Sequence, residues 1–523
     1  MLPGQKEAGP EQLLFICQTL YNVSSVNITQ DDDVQLPMRR RKQLEDRLRS
    51  AETYEQWAQA AQAWDDLVGL SQWRKMDQTR LYDHVSIRYR LDRLRALRSR
   101  QDDIGLLFTL NEGIHGNMAG MGKAAVHSRS KFGTKHLIES YVDEIAEALQ
   151  HIATTNNPKI SFEDKLDFFN RASQCYGRSA LMLSGGGALG FYHIGVVKAL
   201  LEQGLLPNVI SGSSAGSIVA AVLGTHNDDE MEQFMDAKHL AFEAKQEASW
   251  FNRMFRGARA NIDIHDLQNL IARLIPDMTF EEAYRKTGRN ICISIAPAEP
   301  HQTSRLLNAI ASPNVYIRTA VLASCAVPGV YPPVSLQAKN VYGDSQPYLA
   351  SRKWIDGSIS DDLPAKRLSR MYGVNHFLVS QINPVVLPFI SRKKKRGGLS
   401  TVFTGIGRAA LTEVLDAQRF ISQNYLQDMP RVNMVLNSMH SLAKQEYSGD
   451  INIVPSFRFY DLRKLLAKLS EEELVGLMRE GERAAWPQIE TIRTCTKISK
   501  VLDGILEDLQ DLEVEAVRKL QGV

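Results

Sequence analysis

Two glycine-rich turns and one aspartate carry the residues of this 523-residue chain whose types and spacing can do chemistry. In "SALMLSGGGALGFYHIGVVKAL", residues 179–200, Gly185, Gly187 and Gly190 spell G-x-G-x-x-G between an apolar run and a helical pattern. In that place the motif is the layout of a dinucleotide-binding turn. Downstream, "NVIS" runs into Gly212-Ser213-Ser214-Ala215-Gly216, a G-x-S-x-G followed by the helix-like "SIVAAVLG". Small residues around such a serine permit a sharp strand-to-helix turn that lifts its Oγ into the open. An ordinary tight turn uses the same residues. The place between strand and helix is what favours a nucleophile.

A dinucleotide fold requires an acid at the end of its second strand, about 20 residues past the loop, to hold a ribose. Here that strand ends in Ile210-Ser211, and the nearest acid, Glu202, falls in the preceding helix. The dinucleotide reading fails. A glycine loop at a helix N-terminus still offers unobstructed N–H donors beside the positive end of the helix dipole. If the two strands are parallel neighbours, their ends lie about 5 Å apart. Donors of Gly185 to Gly187 then face a carbonyl under attack by Ser214, as an oxyanion hole.

Serine needs a neighbour to take its proton. In "RKWIDGSISDDLPAKRL", Asp356 follows an apolar pair and precedes Gly357, as a carboxylate at a strand-end turn does. Partial burial must raise it from its reference value near 4 for it to act as a base. Asp361 and Asp362, ahead of Leu363-Pro364, read as a helix N-cap and first-turn acid. The rival to a Ser–Asp dyad is a triad completed by His376, which opens an apolar strand where a triad histidine normally follows one. His193 reads as a packed, hydrogen-bonded histidine.

The elements that must position these groups are legible in outline. Residues 1–37 are irregular and polar, and residues 38–156 are helical in character. There Ser50 is offered as an N-cap, and Tyr54, Trp57, Ala61 and Trp64 share one helix face, a stripe expected to be core. Between 177 and 388, "LMLS", "NVIS", "ICISIA" and "HFLVSQI" alternate with helical patterns. That is the signature of an α/β sandwich with a mainly parallel sheet. Residues 389–523 begin with the basic linker around "SRKKKRGG". They continue with a strand-like "GDINIVP", a capping box Ser470-x-x-Glu473 and a final amphipathic helix.

Composition excludes several classes. A formal net charge of +2 argues against a dedicated nucleic-acid binder. Five scattered cysteines without C-x-x-C spacing suggest reduced thiols and no zinc site, hence a cytoplasmic protein. Neither a signal peptide nor a run of about 18 apolar residues is seen, so any membrane contact is expected to be peripheral. Trp250, Phe251, Met254 and Phe255, with nearby arginines, have the texture of an interfacial helix or lid, and equally of a core-facing helix with a solvated basic side.

The motifs "GGGALG", "GSSAG" and "DGS", in this order, resemble those of the patatin-like phospholipases. "YIRTAVLASCAVPGVYPPV", "SQINPVVLPF" and "GERAAWPQI" are similar to the triacylglycerol-lipase branch of that family, as is the helical module with "YEQWAQAAQAWDDLVGLSQWR" and "GTKHLIESY". The resemblance implies a three-layer α/β/α sandwich and a lipid acyl hydrolase without metal or cofactor. Ser214 would be the nucleophile and Asp356 the base. Gly185, Gly186 and Gly187 would form the oxyanion loop, with Gly190 closing its motif and Gly212 and Gly216 framing the nucleophile elbow. Two departures stand out. The usual D-G-[AG] is here Asp356-Gly357-Ser358, and Leu189 sits where many relatives carry Arg or Lys, which favours a neutral lipid over a phospholipid. The implied partner is lipid at a membrane or lipid-droplet surface, with phospholipase A, lysophospholipase, acyl transfer and a non-catalytic lipid scaffold as alternatives. The aromatic stripe leaves a docking or homo-oligomer role open.

Overall fold

The computed structural model describes residues 38–114, 116–234, 264–299, 302–328, 331–383, 386–387, 449–456 and 470–521. Residues 1–37, the Trp250–Phe255 segment and the basic linker lie outside them. Contacts divide the chain into two compact units, with the boundary in sequence between Leu70 and Ser71.

In the first unit, α1 (Met38–Ser50) and α2 (Tyr54–Leu67) pack together. Ser50 ends α1 and does not cap α2. Thr53 takes that place, accepting a hydrogen bond from the Gln56 N–H at 3.3 Å. Its extended backbone suits an N-cap, whereas Ser50 is still helical. Trp57 and Ala61 of the expected stripe are buried, and Tyr54 stacks on Trp57.

The second unit opens with α3 (His84–Ser99), α4 (Asp103–Asn111), α5 (His136–Thr154) and α6 (Phe162–Tyr176). Then β1 (Arg178–Leu183) leads through the first glycine turn into α7 (Gly190–Glu202), and β2 (Val209–Gly212) through the serine turn into α8 (Ala215–Thr225). After α9 (Ile264–Leu274) and α10 (Phe280–Thr287) come β3 (Asn290–Pro297), β4 (Arg305–Leu307) and α11 (Ile317–Ser324). A hairpin of β5 (Leu336–Lys339) and β6 (Ser345–Tyr348) precedes β7 (Trp354–Asp356), α12 (Ala365–Tyr372), β8 (Val374–Ser380) and β9 (Ile451–Ile453). α13 (Glu471–Ala485) and α14 (Ile489–Gln521) follow.

The sheet order is β4-β3-β2-β1-β8-β9, with β7 also on β3. The five expected strands, β1, β2, β3, β8 and β9, pair in parallel, and β4 and β7 run antiparallel to β3. Alternate residues bury on opposite faces, which is why these strands read as continuous apolar runs. Ala180, Met182, Cys292 and Val379 join Leu368 and Tyr372 of α12 in one core. Leu181, Ile210 and Ile291 are buried on the other face, where Ile291 meets Gly224 of α8. This is the expected α/β/α sandwich. The helices before the sheet share a further core with α14, in which Ile498 and Leu502 join Leu149, Phe168 and Phe169. Among the described residues no helix is long and apolar enough to cross a membrane.

α7 and α13 approach backbone to backbone. A Cβ at Gly195 would strike the Met478 carbonyl, and one at Gly481 the Tyr192 carbonyl. Gly195→Ala must force the helices apart, so thermal unfolding should show a loss of about 1–3 kcal/mol, typical of overpacking. An unchanged midpoint would refute this contact.

Candidate active site

Residue pairing alone brings the two strand ends together. Ile295 of β3 pairs with Arg305 on one edge and with Asp356 on the other. β7 therefore continues the edge that β2 leaves at the Gly212–Ile293 pair. It arrives from the opposite direction, so Asp356 ends about two residues, or 7 Å, from the strand end that launches the serine turn.

That turn is strained at its serine. Ser214 has φ +50° and ψ −122°, a region that favours glycine. Holding it there costs on the order of 1–3 kcal/mol. The flanking glycines let the turn close: a Cβ at Gly212 would collide with the Gly216 carbonyl, and one at Gly216 with the Leu183 carbonyl of β1. Hydrogen bonds hold the result. The Ser214 N–H donates to Ser324 Oγ at 3.0 Å, and that hydroxyl donates to the Ser294 carbonyl at 2.8 Å, tying α11 to β3. Ser217 Oγ donates to the Ser214 carbonyl at 2.6 Å.

Asp356 is only 2 % exposed. Burial pushes its carboxyl up to about 6, against hydrogen bonds from the Ser358 N–H, the Ser358 hydroxyl and the Ser214 hydroxyl that favour the ionised form. The Ser358 N–H lies 2.8 Å from Oδ1. The serine that departs from the usual motif thus adds a hydroxyl to the carboxylate's hydrogen bonding. Gly357 is required where it stands, since a Cβ would meet the Ser294 carbonyl.

The first glycine turn closes over this pair. A Cβ at Gly185 would come within 2.9 Å of Ser358 Cβ and 3.3 Å of Ser214 Cβ. Gly190 seats the start of α7 against Ala215, 3.0 Å from where its Cβ would be. Gly187 has φ +56°. The expectation that all three amides of Gly185 to Gly187 serve an oxyanion is narrowed, because the Gly185 N–H already donates to Asp362 Oδ1 at 2.8 Å. The N–H groups of Gly186 and Gly187 make no hydrogen bond among the described residues. A carboxylate beside a strained serine hydroxyl, with two such donors at hand, can accept a proton while an oxyanion is stabilised.

Asp361 and Asp362 correct the sequence reading. Neither caps α12, which follows Pro364 without a side-chain cap. Asp361 pairs with Arg367 at 3.2 Å, and Asp362 turns inward to the glycine loop, 1 % exposed. The Asp362 contact spans 177 residues of sequence, so local spacing carried no signal of it.

Both histidines are engaged elsewhere. His376 pairs in register with Ser179 and bonds its hydroxyl at 3.1 Å, four residues or roughly 13 Å upstream of the sheet end that holds the serine turn. His193 is buried between Ser380 and the Ser184 carbonyl. Leu189 is fully buried, so a missing cation at that position says nothing about lipid headgroups.

Residues 181–368 match the family description "Patatin-like phospholipase", and residues 35–174 match a domain of unknown function, DUF3336. A patatin-like phospholipase domain-containing protein of Yarrowia lipolytica is 33% identical over 93% of this chain and 61% of its own length. One from Meyerozyma guilliermondii is 33% identical over 91% of this chain and 69% of that protein. Triacylglycerol lipase SDP1L of Arabidopsis thaliana is 31% identical over 92% of this chain. The chain spans 60% of the length of the Arabidopsis protein.

Proposed function

Because this chain belongs to the patatin-like phospholipase family, we propose that it is a serine-dependent lipid acyl hydrolase acting on fatty-acid esters of acylglycerols. The observation that carries the reading is the Ser214 hydroxyl set against the buried Asp356 carboxylate beneath the glycine loop. Ser214 Oγ attacks the ester carbonyl while Asp356 takes its proton. The tetrahedral oxyanion accepts hydrogen bonds from the Gly186 and Gly187 N–H groups. On collapse, Asp356 returns the proton to the departing alcohol, leaving an acyl-serine. Water then attacks with Asp356 again as base, and the carboxylic acid leaves as the serine is restored.

Triacylglycerol is the substrate we favour, on the likeness to a protein named a triacylglycerol lipase. Phospholipid, lysophospholipid and acyl transfer to an alcohol use the same residues. Such substrates are reached peripherally, at a membrane or lipid-droplet surface. Fatty-acid release from triolein and from phosphatidylcholine dispersions, with Ser214→Ala as blank, separates them. Ser214-dependent release mainly from triolein is expected. Release mainly from phosphatidylcholine would replace the substrate assignment and keep the chemistry. No Ser214-dependent release from either would overturn the hydrolase.

A further inference from the structure

We propose that His193 and Asp362 are a positioning pair that grips the Ser184–Gly185 peptide from both ends and thereby aims the Gly186 and Gly187 amides; this rests on the hydrolase reading. The N–H of that peptide belongs to Gly185 and donates to Asp362 Oδ1 at 2.8 Å. Its carbonyl belongs to Ser184 and lies 2.9 Å from His193 Nε2. A carbonyl only accepts, so Nε2 carries the proton, and Nδ1 accepts from Ser380 Oγ at 2.7 Å. Burial pushes His193 down to about 4, which keeps the imidazole in this neutral form near pH 7. Asn383 Nδ2 approaches the other Asp362 oxygen at 3.5 Å.

The loop needs such a grip. Gly185, Gly186 and Gly187 have no side chains to restrict rotation, and glycine samples more backbone states than any other residue. Strand pairing ends at Leu183. Beyond it, the Ser184–Gly185 unit is the last peptide before the two donors, and it is fixed at both its polar ends by buried side chains. Burying a carboxylate is costly unless it is hydrogen-bonded. A loop that only had to fill space could be held by apolar contacts like that of Gly186 with Ile382.

Asp362 faces the carboxylates of Asp356 and Asp361, the latter paired with Arg367, while Gly185 and Asn383 supply its hydrogen bonds. Burial, with both carboxylates adding, pushes it up to about 7, and burial pushes Asp356 up to about 6. An ionised carboxylate accepts from the Gly185 N–H more strongly than a neutral acid does, so the grip strengthens as Asp362 ionises. Wild-type activity should climb in two overlapping steps that belong to the pair jointly.

The test is Ser214-dependent hydrolysis of p-nitrophenyl butyrate by the full chain, with melting curves for each variant. Asp362→Ala should lower kcat about 10²-fold, with KM within about twofold, because the aimed amides act on the oxyanion formed in the transition state. Asp362→Asn still offers an oxygen to Gly185. It should stay within about tenfold of wild type and titrate in a single step. His193→Phe should resemble Asp362→Ala, and the double variant should lose little more than either, as residues acting as a unit do. A folded Asp362→Ala with kcat within about threefold of wild type, or with only KM raised, overturns the pair. If that variant fails to fold, a two-step profile in Asp362→Asn does so. Wild-type activity no higher than that of Ser214→Ala would instead remove the hydrolase reading itself.

Discussion

Ser214→Ala should fold normally and lose ester hydrolysis by about 10⁶-fold, the loss found when the nucleophile of a serine hydrolase is removed. The donors of Gly186 and Gly187 would remain, so slow residual turnover over water is expected. Ser214→Gly should be equally inactive and yet more stable than Ser214→Ala. At φ +50° alanine keeps the strain and glycine releases it, a gain of about 1–3 kcal/mol. The extra freedom of glycine in the unfolded chain offsets at most about 1 kcal/mol of that. Paired thermal melts read the difference. Equal midpoints would mean that the serine turn stores no more strain than the roughly 1 kcal/mol that the freedom of glycine offsets.

Asp356→Asn should lower kcat by at least about 10³-fold, since the neutral amide cannot take the Ser214 proton. Its stability should move the other way. The folded carboxyl sits at about 6, above its ordinary value of 3.8, so folding disfavours the ionised form. The stability contributed by this one group is therefore complete below about pH 4 and falls as pH rises through about 6. At pH 8 the asparagine variant should be more stable by up to about 3 kcal/mol, and at pH 4 the two should nearly coincide. In wild type the same group must ionise to act, so activity should rise with pH from about 6 upward, in the two steps shared with Asp362. An asparagine variant retaining a tenth or more of wild-type kcat would remove Asp356 from the base role.

The sequence spoke most clearly where burial was two-sided. β1, β2, β3 and β8 show as short apolar runs because both faces of a parallel sheet are covered. β4, three residues long, and the polar "SQPY" of β6 carry no such pattern, and β7 shows only as the apolar pair ahead of Asp356. Their strand character comes from the strands they pair with, β5 across a hairpin for β6 and β3 for β4 and β7. The serine turn and the glycine turn were legible because their chemistry is local. Asp356 could be picked out by its place at a strand end. Asp362 could not: a carboxylate ahead of Leu363-Pro364 looks like a helix cap, and its true acceptor role is set by tertiary contact with Gly185. The same holds for the split among the three glycines, which depends on which amide Asp362 occupies.

The measurement to make first is labelling of the full chain with a fluorophosphonate, followed by peptide mapping. The phosphonyl group takes the place of the tetrahedral intermediate, so it reads nucleophile, base and donors together. One adduct, on the peptide containing Ser214, forming faster as pH rises through about 6 and nearly lost in Asp356→Asn, is the expected result. A folded protein that takes no label, or takes it on another serine, would contradict the assignment of Ser214 and Asp356.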